Sequence, residues 1–148
     1  MIGYYAPSYK RAKGVTTQEN YPFVKYVVAE FEADEYLKQG LDCWIVPDKA
    51  QGSVARIRNY ILDNADTEKI VMLDDDMTGV ARWEKQKANR LDPGAMQEFC
   101  EMGFQMAQDL DIKYWGMNML SDKGAYREYT PFSFKSCVLG PFQAFNNL

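Results

Sequence analysis

An α/β fold, with a mostly parallel sheet and flanking helices, is the architecture this sequence predicts, on two observations. Short apolar segments rich in β-branched and aromatic residues alternate with polar, helix-favouring ones along the chain. One apolar segment, Ile70-Val71-Met72-Leu73, is uninterrupted, as expected of a strand buried on both faces. Right-handed crossovers then lay successive strands side by side in parallel.

The elements follow in order. Ile2-Gly3-Tyr4-Tyr5-Ala6 reads as a first strand stopped by Pro7-Ser8. Phe23 to Ala29 is rich in valine and aromatics and reads as a second. Glu32 to Gln39 favours helix, with Gly40 as its C-cap. Asp42 to Val46 is a third strand, closed by Pro47-Asp48. Ser53, after Gly52, is placed to cap a helix whose apolar positions are Val54, Ile57, Ile61 and Leu62, ending near Asn64. Lys69 to Leu73 is the buried fourth strand. Pro93 opens a helix of about four turns, with Met96, Phe99, Gly103, Phe104, Met106, Ala107 and Leu110 as its core stripe. Lys113 to Met119 reads as a further strand, and Phe134 to Leu139 as one more before Gly140-Pro141.

Composition narrows the chemistry. The chain has 148 residues, enough for one domain with a real core and not for two. No apolar run approaches the roughly 20 residues needed to span a bilayer. The N-terminus lacks the regions of a signal peptide, so a cytosolic protein is expected. Cys43, Cys100 and Cys137 have no CxxC spacing and read as small buried residues rather than as a disulfide or zinc set. A net charge of −4 disfavours binding to nucleic acid through phosphates alone. Histidine is absent, so acid–base or metal chemistry must run on carboxylates, which suit Mg2+ or Mn2+.

In open α/β sheets, ligands collect at the C-terminal ends of the strands. There, directly after the most apolar strand, stands Asp74-Asp75-Asp76. In extended geometry Asp74 and Asp76 share one side and Asp75 faces the other. Two such carboxylates repel each other, and a divalent cation removes that penalty while leaving positions for phosphate oxygens. The plainer alternative is a polar loop or a helix N-cap.

Cations stand near the same strand ends. Lys10, Arg11 and Lys13 follow the first strand, and Arg56 and Arg58 lie on the helix after the third. If strands one, three and four are neighbours, these side chains converge on the aspartates. Arg56 and Asn59 share a helical face, from which Arg58 is turned by about 200°. Asn59 can hydrogen-bond a ribose or sugar hydroxyl. A solvated helix face is the alternative for both arginines. Gly52 allows close backbone approach before the helix N-terminus. Neither a GxxxxGK[ST] loop nor a GxGxxG motif occurs, which argues against P-loop and dinucleotide-binding readings.

Three segments together carry a resemblance: Tyr5-Ala6-Pro7-Ser8-Tyr9-Lys10-Arg11, Ala55-Arg56-Ile57-Arg58-Asn59-Tyr60, and Ile70 through Asp76. The chain resembles GT-A-fold (Rossmann-like) glycosyltransferases. More narrowly, it is similar to the TET-associated glycosyltransferases of phages, which are related to the base J glucosyltransferases. Trp115-Gly116-Met117-Asn118 and Pro131-Phe132-Ser133 also resemble that group.

The resemblance implies a metal-dependent enzyme that moves sugar from a nucleotide-sugar, most simply a UDP-sugar, to a hydroxymethylpyrimidine in DNA, in the host cytoplasm if phage-encoded. It implies that residues 5–11, with Ala6, Pro7, Tyr9, Lys10 and Arg11, form the first nucleotide-binding loop. Glu32 or Asp34 would meet the base or ribose, and Arg56 and Asn59 the nucleotide or donor sugar. Asp74 and Asp76 would be the D-x-D pair that holds Mn2+ or Mg2+, with Asp76 the direct ligand, and Asp74 and Asp75 facing the donor. The family continues into a second half bearing the catalytic carboxylate, whereas this chain stops at Asn146-Asn147-Leu148. A nucleotide-sugar-binding half is therefore expected. For the acceptor base, Glu101, Asp122 and Glu128 are candidates, with Tyr126, Arg127 and Tyr129 as an aromatic–cationic cluster that can stack on a base or sugar. Two other classes fit the aspartates: a catalytically incomplete nucleotide-sugar-binding module, and a metal-dependent phosphotransferase or nuclease.

Overall fold

A computed structural model describes residues 1–85, 87–118 and 132–146. The chain runs β1 (Ile2–Pro7), α1 (Thr17–Asn20), β2 (Lys25–Ala29), a 3-10 turn (Glu30–Glu32), α2 (Ala33–Leu37), β3 (Cys43–Val46), a second 3-10 turn (Asp48–Ala50) and α3 (Val54–Asn64). It continues with β4 (Lys69–Leu73), β5 (Ala81–Glu84), β6 (Lys87–Arg90), α4 (Pro93–Asp109), β7 (Tyr114–Gly116) and β8 (Phe142–Asn146). Six strands form one sheet in the order β3-β2-β1-β4-β8-β7, and β5 and β6 pair separately as a hairpin.

The sheet is mixed, which corrects the mostly parallel expectation. β3, β2, β1 and β4 pair in parallel. β8 runs antiparallel to both β4 and β7, with Leu73 opposite Phe142 and Lys69 opposite Asn146. Alternation explains β8: in Phe142-Gln143-Ala144-Phe145-Asn146, Phe142 and Ala144 are fully buried. The strand expected over Phe134–Leu139 is irregular instead, and Phe134 is 70% exposed. An apolar run alone does not make a strand where no neighbour covers it. The strand expected over Lys113–Met119 is shortened to Tyr114–Gly116, and Met119 lies outside the described residues.

Period-two alternation divides the core between the two faces of the sheet. Tyr4, Ala6, Tyr26, Val28, Val71 and Leu73 face one way, packed with Met96, Cys100 and Phe104 of α4. Tyr5, Val27, Ile70 and Met72 face the other, under Ile57 and Ile61 of α3. β4 is therefore buried on both faces, as its composition requires. Of the stripe read for α4, Met106 and Leu110 point to solvent. Cys100 takes a place on the inner face, four residues from both Met96 and Phe104. Cys137 is exposed, against the reading of all three cysteines as buried.

Local signals set the helix ends. Ser53 Oγ accepts the Arg56 amide at 3.1 Å, and Asp92 Oδ1 accepts the Ala95 amide at 2.8 Å. Pro93 occupies the first turn of α4. Gly40 ends the turn after α2 with φ +74°, a conformation that favours glycine. Among the described residues, no helix is long and apolar enough to cross a membrane.

Gly103 faces the Trp115 ring so closely that a Cβ there would overlap it. Alanine should gain up to about 1 kcal/mol in helix propensity and lose about 1–3 kcal/mol to overpacking. Gly103→Ala is thus expected to lower the urea midpoint; a raised midpoint would show that Trp115 yields freely.

Candidate functional site

β1 and β4 are the two central strands, and Tyr5 pairs with Met72, so their C-terminal ends lie side by side. Beyond Leu73 the chain leaves the sheet and turns. Asp75 points back into the junction, with its side chain 6% exposed. Its Oδ2 accepts Ser8 Oγ at 2.5 Å and its Oδ1 accepts Arg11 Nη1 at 3.1 Å. Ser8 Oγ also shares a hydrogen bond of 2.8 Å with the Tyr36 hydroxyl. That hydroxyl accepts the Arg11 amide at 3.1 Å. The Asp75 carbonyl takes the amides of Thr16 and Thr17 at 2.9 and 3.2 Å. Thr17 Oγ1 donates to the Asp74 carbonyl at 2.6 Å and accepts the Met77 amide at 3.0 Å. Each polar group of this buried turn named here is paired, as burial demands.

The other two aspartates face outward, with side chains 40% and 48% exposed for Asp74 and Asp76. Asp76 Oδ2 accepts Arg11 Nη2 at 2.8 Å, so one guanidinium spans Asp75 and Asp76. These carboxylates raise the Arg11 pKa further. Asp74 is met from the opposite side by Arg58 Nη2 at 3.5 Å. Partial burial pushes the Asp74 carboxyl above its usual range; Asp76 and Asp75 add to the rise, while Arg58 and Arg11 oppose it. The expected alternation holds in burial, with Asp75 inward and its neighbours outward. Asp75, expected to face the donor, instead has both oxygens engaged inside.

The loop after β1 supplies the opposite wall. Ala6 is fully buried within the sheet, and Pro7 ends the strand. Lys10 adopts φ +53°, which curls the loop back over the strand ends. Its amide donates to Glu32 Oε2 at 2.5 Å. Glu32 is 5% exposed, and its Oε1 is buried without a partner. Burial raises its pKa, and the Lys10 amide opposes that rise. Tyr9 and Phe31 flank this point, 51% and 53% exposed, with ring centroids 6.2 Å apart. The Lys10 ammonium lies 5.0 Å from the Tyr9 centroid. Asp34 is exposed on α2.

Arg56 and Asn59 lie elsewhere. They line a shallow hollow of about 500 Å³ with Lys49, Tyr60 and Asp63, and Arg56 Nη1 donates to the Gln51 carbonyl at 3.1 Å. The convergence expected of Arg56 on the aspartates does not form, because β2 and β1 separate β3 from β4. Arg58 reaches Asp74 instead. α3 packs through Ile57 and Ile61, and that orientation carries Arg58 to the end of β4. A helical repeat gives the angle between Arg56 and Arg58 and not which of them faces the sheet. Tyr36 and Thr17 were missed, and Ser8 was read only as part of the 5–11 loop; no local pattern marks their roles, since their partners are 28 to 67 residues away.

A larger cavity of about 580 Å³ opens at the N-terminal ends of the parallel strands, among Gly3, Tyr5, Trp44, Asp66 and Thr67. None of the three consecutive aspartates lines it. Among the described residues, no group of three or more His, Cys, Asp or Glu side chains is arranged to hold a metal ion. Glu101 is exposed on α4, and Trp115 packs edge-on against Phe99 and Phe104. Asp122, Tyr126, Arg127, Glu128, Tyr129 and Pro131 lie outside the described residues. No family model matches the chain, and neither do any curated proteins or solved structures.

The two aspartates that share Arg11 should respond differently to truncation. Asp75→Ala leaves the buried Ser8 hydroxyl without its carboxylate acceptor and Arg11 with Asp76 alone, and should cost about 2–3 kcal/mol. Asp76→Ala breaks only a half-exposed pair and should cost less than about 0.5 kcal/mol. Urea denaturation of both variants checks this; equal losses would refute the assignment of Asp75 as the anchor.

Proposed function

We propose that this chain is a metal-dependent glycosyltransferase of the GT-A type, moving sugar from a UDP-sugar to a hydroxyl acceptor, a hydroxymethylpyrimidine in phage DNA. The observation that carries this reading is the placement of Asp74 and Asp76. They stand outward at the C-terminal end of a central strand, Asp76 paired with Arg11 of the loop after the neighbouring parallel strand and Asp74 with Arg58 of α3. The resemblance of residues 5–11, 55–60 and 70–76 to that group points the same way.

The donor set suits a hard cation. Two partly exposed carboxylates are what Mg2+-type ions commonly take from protein, with water and substrate phosphate completing the shell, so no third side chain is required. Asp74 and Asp76 would hold the ion, and when bound it would stabilise negative charge on the departing diphosphate. Arg11, paired with Asp76, is near enough to the carboxylates to meet that diphosphate, and Lys10 stands beside it on the same loop. The unpartnered Glu32 Oε1 is suited to accept from a base N–H or a ribose hydroxyl. The exposed Tyr9–Phe31 pair offers an apolar face beside it.

Calorimetric titration of UDP and UDP-glucose, with Mn2+ or with chelator, tests the reading. Binding should require metal and should fall at least tenfold in Asp76→Ala, a typical loss for a metal ligand or its close support. Protonation competes with the metal, and burial raises the Asp74 pKa above its ordinary 3.8. Affinity should therefore weaken as pH falls, starting above the range of an unperturbed aspartate. Binding without transfer to DNA would favour a donor-binding module. Metal-dependent phosphate release or DNA cleavage, with no preference for a sugar donor, would contradict the proposal.

A further inference from the structure

Arg58 has no place in the donor site as proposed, yet its side chain is four-fifths buried, with only 19% exposed. Its Nη2 donates to the Gly140 carbonyl at 3.0 Å and lies 3.5 Å from Asp74 Oδ1. Its Nε is buried and has no partner. The Asp74 amide donates to the Pro141 carbonyl at 3.2 Å. Asp74 is thus fastened to the Gly140-Pro141 turn twice, by its own amide and by its carboxylate through Arg58. That turn leads directly into β8, whose register on β4 begins where Phe142 faces Leu73.

Burying a guanidinium is costly, and an apolar side chain would fill the same space without that cost. What arginine adds is a planar group whose terminal Nη2 carries two N–H donors in fixed directions and can hold two acceptors at once. Here those acceptors are a backbone carbonyl fixed by the sheet and a carboxylate at the site. Arg11 grips Asp75 and Asp76 from the β1 side, so Arg58 is the arginine that acts on Asp74 from the β8 side.

We propose that Arg58 is a positioning residue: anchored on the Gly140 carbonyl, it holds the Asp74 carboxylate in place and couples the aspartate site to the turn that opens β8. This rests on the reading of Asp74 as a metal ligand. The coupling itself exists in the metal-free protein and can be measured there.

The test pairs two readouts on Arg58→Ala and Arg58→Lys. In the metal-free protein, hydrogen exchange at the Asp74 amide should lose protection by roughly tenfold in Arg58→Ala, while the amides of the β1–β4 ladder keep theirs. Mn2+ affinity should fall by roughly tenfold in the same variant, as for loss of a ligand's supporting partner. Arg58→Lys keeps the charge but not the planar group that fixes the direction of the Nη2 donors, and should recover only part of either loss. Should Arg58→Ala fail to fold, Arg58→Lys carries both readouts. Unchanged protection at Asp74 overturns the proposal, as does an equal loss along the whole ladder, which would mark a general packing role. Mn2+ binding as tight as wild type in a variant with lowered Asp74 protection overturns it too. If the wild type takes up no Mn2+, the metal reading fails, and the exchange measurement alone decides whether Arg58 fixes Asp74.

Discussion

Asp75 carries a charge into the junction between β1 and β4, and a buried carboxylate is tolerated only where its oxygens find donors. Ser8 and Arg11 supply them, and Tyr36 braces Ser8 from α2. The same residue's carbonyl collects the amides of Thr16 and Thr17, which fixes α1 against the end of β4. Four segments therefore meet around one residue, Asp75. With Asp75 satisfied inward, its two neighbours are left facing out, where like charges on adjacent residues need counter-ions. Arg11 and Arg58 provide these from opposite sides.

The mixed sheet gives the site its asymmetry. On one side of β4 the strands are parallel, and the loops after β1 and β2 gather at the same end as the aspartates. On the other side β8 begins at that end and runs back, so the Gly140-Pro141 turn stands beside the aspartates. One flank thus offers mobile-length side chains such as Lys10 and Arg11. The other offers backbone tied into the sheet. On the proposed reading, the first flank meets the donor diphosphate and the second sets the ligand geometry. Hydrophobic packing on both faces of β4 holds the strand that presents the aspartates.

Much of this was legible in the sequence because it is local. The buried strand Lys69–Leu73 ends where its apolar run ends, and Ser53 and Pro93 mark their helices through backbone chemistry within one turn. The aspartates at the end of that strand were also legible, since strand ends in such sheets face the ligand side. The antiparallel return of β8 was not, because alternation in five residues gives no direction of pairing. The β5–β6 hairpin drew no notice: its strands are exposed and polar, so no hydrophobic pattern announces them. The exchange of Arg56 for Arg58 has a single cause. The sequence provides the angle between two side chains on α3, whereas only the packed helix provides its orientation on the sheet.

Paramagnetic broadening by Mn2+ in an amide correlation spectrum tests the central claim, that the outward aspartates at the β1–β4 junction form a cation site. Substoichiometric Mn2+ should first erase the signals of residues 8–13 and 74–77, leaving Gly3 and Asn64 to Thr67, at the far end of the sheet, intact. Broadening spread evenly over exposed acidic residues, or centred away from Asp74 and Asp76, would contradict the account.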